Sequence, residues 1–322
     1  MSDTRRVFLV TGAAGFVGAN LCRRLVSMNA EVHVLLRPTT RTWRIDDLRD
    51  KLQAHAADLC DEPRVSQIVD SVRPTVIYHL ATHGAYPYQD DAEKILRVNV
   101  FGAWTLLNAC SKAGYELFVN TGSSSEYGRK TFAMRETDLL DPDSFYGVAK
   151  SAQSLLCQQF ARRSDSPIVL LRLFSVYGPY EERTRLIPHL MLAALTGAPI
   201  DMASPDTARD FVYVDDVVNA LLMIDELKAL RGEILNVGTG VQSSLAQVVE
   251  HTEAVCGRKL DVRWGGMKPR PWDSDVWVAD VSKLRRLTGY GPDTPIREGL
   301  AACLAWFRDH RRFYEDGAPT KC

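Results

Sequence analysis

The chain has 322 residues, with 39 basic side chains against 40 acidic ones and a net charge of -1 at pH 7. That balance, with no basic stripe and no acidic tail, argues against a nucleic-acid partner and against disorder. No apolar run approaches the ~20 residues of a membrane span, and the seven cysteines (Cys22, Cys60, Cys110, Cys157, Cys256, Cys303 and Cys322) form no CxxC pair, so a soluble cytoplasmic protein with reduced thiols is expected.

Val7–Val10 reads as a buried parallel strand, and Gly12, Gly15 and Gly18 follow it at three-residue spacing before an apolar-periodic helix from Ala19 to Val26. Strands are predicted at Glu31–Leu36, Thr75–Ala81, Glu116–Asn120 and Ile168–Phe174, and Arg49–Asp58 holds a further short apolar stretch. Helices are predicted at Asp61–Ser71, Ala92–Ala113 and Ser144–Arg163. This βαβα rhythm predicts an α/β Rossmann-type, doubly wound parallel sheet with its ligand at the carboxyl ends of the strands. After Ser175 the rhythm breaks: proline and glycine punctuate Gly178–Pro188 and Gly197–Pro205, then a strand-like Asp210–Val214, a helix Asp216–Leu227, the strand Ile234–Val237, a helix Leu245–Cys256, a short strand Asp261–Trp264 and a helix Arg297–His310. The expected division is a cofactor domain over 1–174, with returns near 208–240, and a smaller α/β substrate lobe over 175–207 and 241–315.

The glycine turn suits a dinucleotide pyrophosphate, because glycine turns sharply, lets the backbone approach the anion, and hands it to a helix N-terminus. At the end of the second strand an acidic residue would bond the ribose 2′-hydroxyl of NAD; Arg37 stands there instead, with Arg41 and Arg44 beyond it. Arginine pairs with a 2′-phosphate and stacks on adenine, so the cofactor expected is NADP or NAD with NADP favoured. Asp58 is a candidate acceptor for the adenine amino group.

Tyr146-Gly147-Val148-Ala149-Lys150 puts a phenol and an ammonium one turn apart on one helical face. A lysine and a cationic nicotinamide both favour phenolate, which can take and return the proton of an alcohol. Upstream, the serine-rich strand end at Ser123–Ser125 offers a hydroxyl to hold the reacting oxygen. The seven histidines share no ligand spacing, so no metal is expected; His83, just after the Thr75–Ala81 strand, reads either as a core histidine or as a group near substrate.

With these pieces in order, the chain resembles the extended short-chain dehydrogenase/reductases, specifically the sugar-nucleotide epimerase/dehydratase group. The resemblance rests on TGAAGFVG (Thr11–Gly18), ADL (Ala57–Leu59), YHLA (Tyr78–Ala81), RVNVFGAWTLLNA (Arg97–Ala109), SSSEYG (Ser123–Gly128), YGVAK, LRLFSVYGP (Leu171–Pro179), RDFVYVDDVV (Arg209–Val218), NVGTG (Asn236–Gly240) and KPRPWD (Lys268–Asp273). It implies Tyr146 as acid/base, Lys150 as its partner and holder of the nicotinamide ribose, and Ser123 as the hydroxyl that completes the catalytic set. It implies cofactor contacts from Gly12, Gly15, Phe16, Val17, Gly18, Arg37, Asp58, Leu59, Leu80, Ala81 and Asn99, the last at the family's structural asparagine. The substrate implied is a nucleotide-diphosphate sugar, met by His83, Ser124, Ser125 and Ser175, with Arg209 and Arg270 clamping the diphosphate through their bidentate forks.

Members that remove water across C4–C6 carry an acidic pair, or at least the second acid, just after the catalytic hydroxyl; here Ser124 and Ser125 occupy those places and Glu126 comes one residue late, unless a local bulge restores it. The expected reaction is therefore C4 epimerisation through a 4-keto intermediate. Arg37 favours an NADPH-dependent 4-keto-sugar reductase as the alternative, 4,6-dehydration ranks lower, and a nucleotide-binding regulator is the non-enzymatic rival. The resemblance also implies a homodimer through the helices Ala92–Ala113 and Ser144–Arg163, whose Leu106, Leu107, Leu155 and Leu156 lie on more than one face; the other reading buries them within one chain.

Overall fold

The computed structural model describes residues 6–267 and 274–314. They divide into two compact units: the first runs to Gly128 and takes in Leu139–Leu173 and Leu221–Leu235, and the second holds Arg129–Asp138, Phe174–Ala220 and the chain from Asn236 onward.

The first unit is built on β1 (Val7–Thr11), α1 (Phe16–Ser27), β2 (Glu31–Leu36), β3 (Gln53–Ala56), α2 (Glu62–Val72), β4 (Val76–His79), α3 (Ala92–Leu96), α4 (Gly102–Ala113), β5 (Leu117–Ser123), α5 (Phe145–Ser164) and β6 (Ile168–Leu173). With the strand Ile234–Val237 at one edge, the sheet order is Ile234–Val237, β6, β5, β4, β1, β2, β3. β1 pairs in parallel with β2 on one side and β4 on the other, Val10 facing Val34 and Tyr78. The chain steps outward from β1 to β3 and then returns to β4, so the strand order reverses beside the carboxyl end of β1, where open α/β sheets bind ligand. Leu9, Ile77, Phe118 and Leu170 of the strands pack with Ile68, Leu106, Leu107 and Cys157 of the helices in one buried cluster. Leu106 and Leu107 are thus core residues of the single chain and not part of a dimer face. Side-chain oxygens start the helices: Asp61 accepts from the Arg64 N–H at 3.2 Å, Asp91 from Lys94 at 3.1 Å and Ser144 from Gly147 at 3.1 Å.

The helix expected over Ala92–Ala113 is continuous but carries a π-helical turn at Arg97–Phe101. That single wide turn carries the fully buried Asn99; such bulges recur at functional sites.

In the second unit Ser175–Tyr177 pairs in parallel with Phe211–Tyr213, Ile200–Met202 in parallel with Val262–Trp264, and Ala208–Arg209 antiparallel with Ser243–Ser244. The helices Leu186–Thr196, Leu245–Cys256 and Ile296–His310 pack against one another. Three helices of the later chain differ from expectation, one of them Ser282–Thr288, where no element was expected. Leu186–Thr196 begins within the proline-punctuated stretch, because Pro188 sits in its first turn, where a missing N–H breaks no intrahelical bond. The helix expected over Asp216–Leu227 is two pieces, Val214–Leu221 and Ile224–Leu227. No helix among the described residues is long and apolar enough to cross a membrane.

Asp210 fastens this unit. Fully buried, its Oδ1 accepts from the Thr239 N–H at 2.8 Å and the Thr239 hydroxyl at 2.7 Å, and its Oδ2 from the N–H groups of Gly240 at 3.0 Å and Ala279 at 3.1 Å. Asp210→Ala removes the acceptor of four hydrogen bonds and leaves the buried Ala279 N–H without its partner, at a cost of about 3 kcal/mol. Urea denaturation should show that loss; a change below about 0.5 kcal/mol would contradict this reading of the carboxylate.

Candidate active site

The glycine turn closes onto the turn after β4. Gly12 has a φ of +73°, and a Cβ there would lie 2.6 Å from the Ala81 nitrogen and from the Leu80 carbonyl carbon, so only glycine fits. Gly15 precedes α1 and donates its N–H to the Gly12 oxygen at 2.9 Å; Phe16 and Val17 are the half-buried first residues of the helix, and Gly18 is buried in its first turn. No side chain caps this helix, so its first amides stay available to an anion. Thr11 locks the same corner, its Oγ1 sharing a 2.7 Å hydrogen bond with His79 Nδ1 and accepting from the Ala81 N–H at 3.3 Å. This cradle, which a Cβ would fill, fits a dinucleotide pyrophosphate.

Arg37 is exposed at the end of β2, with no acidic residue in its place. His83, buried after β4, is held below the ordinary histidine value by burial and then by Lys94 and Arg37, against the opposing pull of Asp91. Asp58 is exposed and accepts from the Cys60 N–H at 2.8 Å, while Leu59 is buried. Asn99 spends its amide on the loop: its Oδ1 accepts from the His83 N–H at 2.9 Å and the Thr82 hydroxyl at 3.1 Å, and its Nδ2 donates to the His83 oxygen at 2.7 Å.

Ser123 is the last residue of β5 and half-buried; its Oγ accepts from the Ser125 N–H at 3.2 Å as the chain enters a 3-10 turn at Ser124–Glu126. Tyr146 is the second residue of the 20-residue α5, where the helix dipole favours an anion, and is half-buried. Between Tyr146 and Lys150, Gly147 lets the helix lie directly on the serine turn, since a Cβ there would stand 2.6 Å from the Ser125 oxygen. Lys150 is buried, its Nζ donating to the Thr121 oxygen and to Gln153 Oε1, both at 2.9 Å. Burial pulls its pKa down to about 8, against the opposing charge of Glu126. Burial, and then Lys150, pushes His79 down to about 3, so that imidazole is neutral. The bulge that would have aimed Glu126 at a substrate does not form: the side chain is fully buried, with Oε2 2.9 Å from Arg172 Nε. Thr121 and Gln153 lie outside the motifs and Arg172 lies within LRLFSVYGP, where its side chain received no role; the parallel register of β5 with β6 and the turn of α5 bring all three here.

In the second unit, Ser175 and Arg209 line one cavity of about 200 Å³ with Arg185, His189 and Phe211. Arg209 donates to the Ala208 oxygen at 2.7 Å and lies 5.0 Å from the Trp277 ring centre, so its guanidinium is held in a fixed plane. Arg270 lies outside the described residues.

The pattern of the NAD dependent epimerase/dehydratase family matches residues 8–238. The chain belongs to that family. It is an NAD(P)-dependent nucleotide-sugar enzyme of the extended short-chain dehydrogenase/reductase type, which closes the regulator alternative. Over 314 residues it is 29% identical to an uncharacterized UDP-glucose epimerase, YtcB of Bacillus subtilis, covering 92% of this chain and 96% of that one. Among solved structures, MoeE5 in complex with UDP-glucuronic acid and NAD is 33% identical with a TM-score of 0.83, covering 94% and 99% of the two chains. UDP-glucuronic acid 4-epimerase from Bacillus cereus, in complex with UDP-glucuronic acid and NAD, is 28% identical with the same TM-score and coverage.

For this epimerase/dehydratase chain the buried lysine has a thermodynamic signature. Lys150 keeps its proton up to pH 10.5 when unfolded but only to about 8 when folded, so between those values the unfolded chain binds more protons and stability rises with pH. Lys150→Met removes that dependence. The unfolding free energy of the wild type relative to the variant should grow from pH 8 to pH 10 in urea titrations; a pH-independent difference would contradict the lowered value.

Proposed function

We propose that the protein is a nucleotide-sugar C4 epimerase acting on a UDP-linked hexose or hexuronate through a 4-keto intermediate. The observation that carries this reading is the seating of the first turn of α5 on the serine turn that follows Ser123, with Tyr146 in that turn and one turn from a buried ammonium. The Ser123 hydroxyl hydrogen-bonds the C4 oxygen and orients it. Tyr146, as phenolate, removes the proton of that hydroxyl and later returns it to the opposite configuration, while Lys150 keeps a positive charge beneath the phenol in both states. Bound NAD(P) supplies the acceptor and donor of the C4 hydride, held by the Gly12–Gly18 turn. Arg209 and Ser175 bind the nucleotide diphosphate, and Ser124 and Ser125 face the sugar. Those two serines have no acid strength to expel a hydroxide, and Glu126 is buried against Arg172, which disfavours 4,6-dehydration. Purified protein without added cofactor should interconvert UDP-glucuronate or UDP-glucose with its C4 epimer, and Tyr146→Phe should lower kcat by about 10³-fold with little change in KM. Full activity of that variant would sink the proposal.

Arg37 favours a second reading, a 4-keto-sugar reductase drawing NADPH from solution. In either reading we assign the chain an NADP(H) preference, because the exposed Arg37, and no carboxylate, directly follows β2. Isothermal titration should give NADP+ the lower Kd, and Arg37→Ala should weaken NADP+ at least about tenfold while leaving NAD+ nearly unchanged. Tighter NAD+ binding by the wild type would overturn the preference.

We further assign the protein a homodimer through the outward faces of α4 and α5 and the π turn between α3 and α4. Phe101 is 62%, Phe145 60% and Leu155 58% exposed there, a band of large apolar side chains that water does not favour. Light scattering should return about twice 36.0 kDa; a single-chain mass would remove the dimer.

A further inference from the structure

Beneath the serine turn the structure carries a charged device that the reaction as described does not use. Glu126 bends back under β5. Its Oε1 accepts from the Ser123 N–H at 2.8 Å and its Oε2 from Arg172 Nε at 2.9 Å, with both side chains buried. The chain makes room for it: a Cβ at Gly122 would lie 2.5 Å from Glu126 Oε1 and 3.0 Å from Arg172 Cγ. Arg172 is held from its other side by Tyr127, whose ring centre is 4.7 Å from the guanidinium carbon. A buried ion pair of this kind is poor value for stability alone, since desolvation offsets most of its attraction.

We propose that Glu126 is a positioning residue for the reaction: it fixes the backbone of Ser123 and supplies the negative charge that offsets Arg172 and Lys150 beneath Tyr146. The inference rests on the roles proposed above for Ser123, Tyr146 and Lys150. Among the described residues, the titratable groups coupled to Lys150 are His79 of β4, which is neutral, Glu126 of the turn after β5, and Cys157 of α5, whose thiol burial keeps protonated. Glu126 is the carboxylate that opposes the desolvation of the Lys150 ammonium. One carboxylate therefore faces two buried cations; burial raises its pKa, and Arg172 and the Ser123 N–H oppose that rise. With the anion gone, Arg172 keeps its proton and stands unopposed, so Lys150 is the group that gives way.

Two variants of opposite sign test this. Glu126→Gln retains an oxygen for the Ser123 N–H but deletes the charge; Arg172→Gln leaves the carboxylate facing Lys150 alone. Two readouts are taken, the alkaline limb of kcat with UDP-glucuronate and, with no substrate present, the pH at which unfolding free energy begins its rise. Both midpoints should move down by about one pH unit in Glu126→Gln and up in Arg172→Gln. Midpoints that stay within about 0.2 pH units of wild type, or move in the same direction in both variants, overturn the inference. Where one variant does not fold, the direction shown by the other decides. Loss of the proposed function is recognised separately, by the absence of turnover in the wild type or by an active Tyr146→Phe; the stability readout then still tests Glu126.

Discussion

A lysine ammonium with almost no access to water is the constraint around which the catalytic unit is arranged. Lys150 is withdrawn into the base of α5, where its charge is costly, and the surrounding chain answers with a carbonyl from Thr121, an amide oxygen from Gln153 and a carboxylate from Glu126. A cation in such a place acts on its neighbours more strongly than one at the surface, because little solvent screens it. In the proposed reaction, the same burial that destabilises the lysine strengthens its effect on a phenol that loses and regains a proton. Its own burial, and then the Lys150 charge, keep His79 neutral.

The second constraint is geometric. The reversal of strand order between β1 and β4 opens the crevice, and Gly12 lets the glycine turn lie against Leu80 and Ala81 without a side chain between them. Asn99 then holds the following loop by three hydrogen bonds from one amide, and the π turn is the local adjustment that carries this asparagine. The glycine turn and the start of α5, to which the cofactor and the proton transfer are proposed to belong, are thus both seated by close backbone packing, the arrangement that keeps donors oriented during a reaction.

Much of this was legible in the residues. The alternation of four-to-six-residue apolar runs with amphipathic segments marks the parallel sheet, and the strands β1, β2, β4, β5 and β6 lie within a few residues of expectation. Gly12–Gly18, Ser123, Tyr146 and Lys150 stand out because each motif sits at a strand-to-helix junction that the pattern already implies. What was not legible depends on contacts distant in sequence. Arg172 meets Glu126 only because β5 and β6 pair in register, and the inward turn of Glu126 follows from a single 3-10 turn. Leu106 and Leu107 lie on more than one face of their helix, which leaves a dimer face and burial in one chain both open until the core cluster is seen to hold them. Leu186–Thr196 was masked by Pro188, a residue that ends helices everywhere except in their first turn. The short strand pairings of the second unit involve two or three residues each, too few for any periodicity to show.

The central claim is that one phenol and one serine hydroxyl converge on a single sugar oxygen above a buried cation. A crystal structure of the protein with its dinucleotide and a bound UDP-sugar measures this directly. The account predicts Tyr146 Oη and Ser123 Oγ each within about 3.2 Å of the same C4 oxygen, with Lys150 Nζ still bonded to the Thr121 carbonyl. A Tyr146 hydroxyl directed into solvent, away from every sugar oxygen, would contradict it.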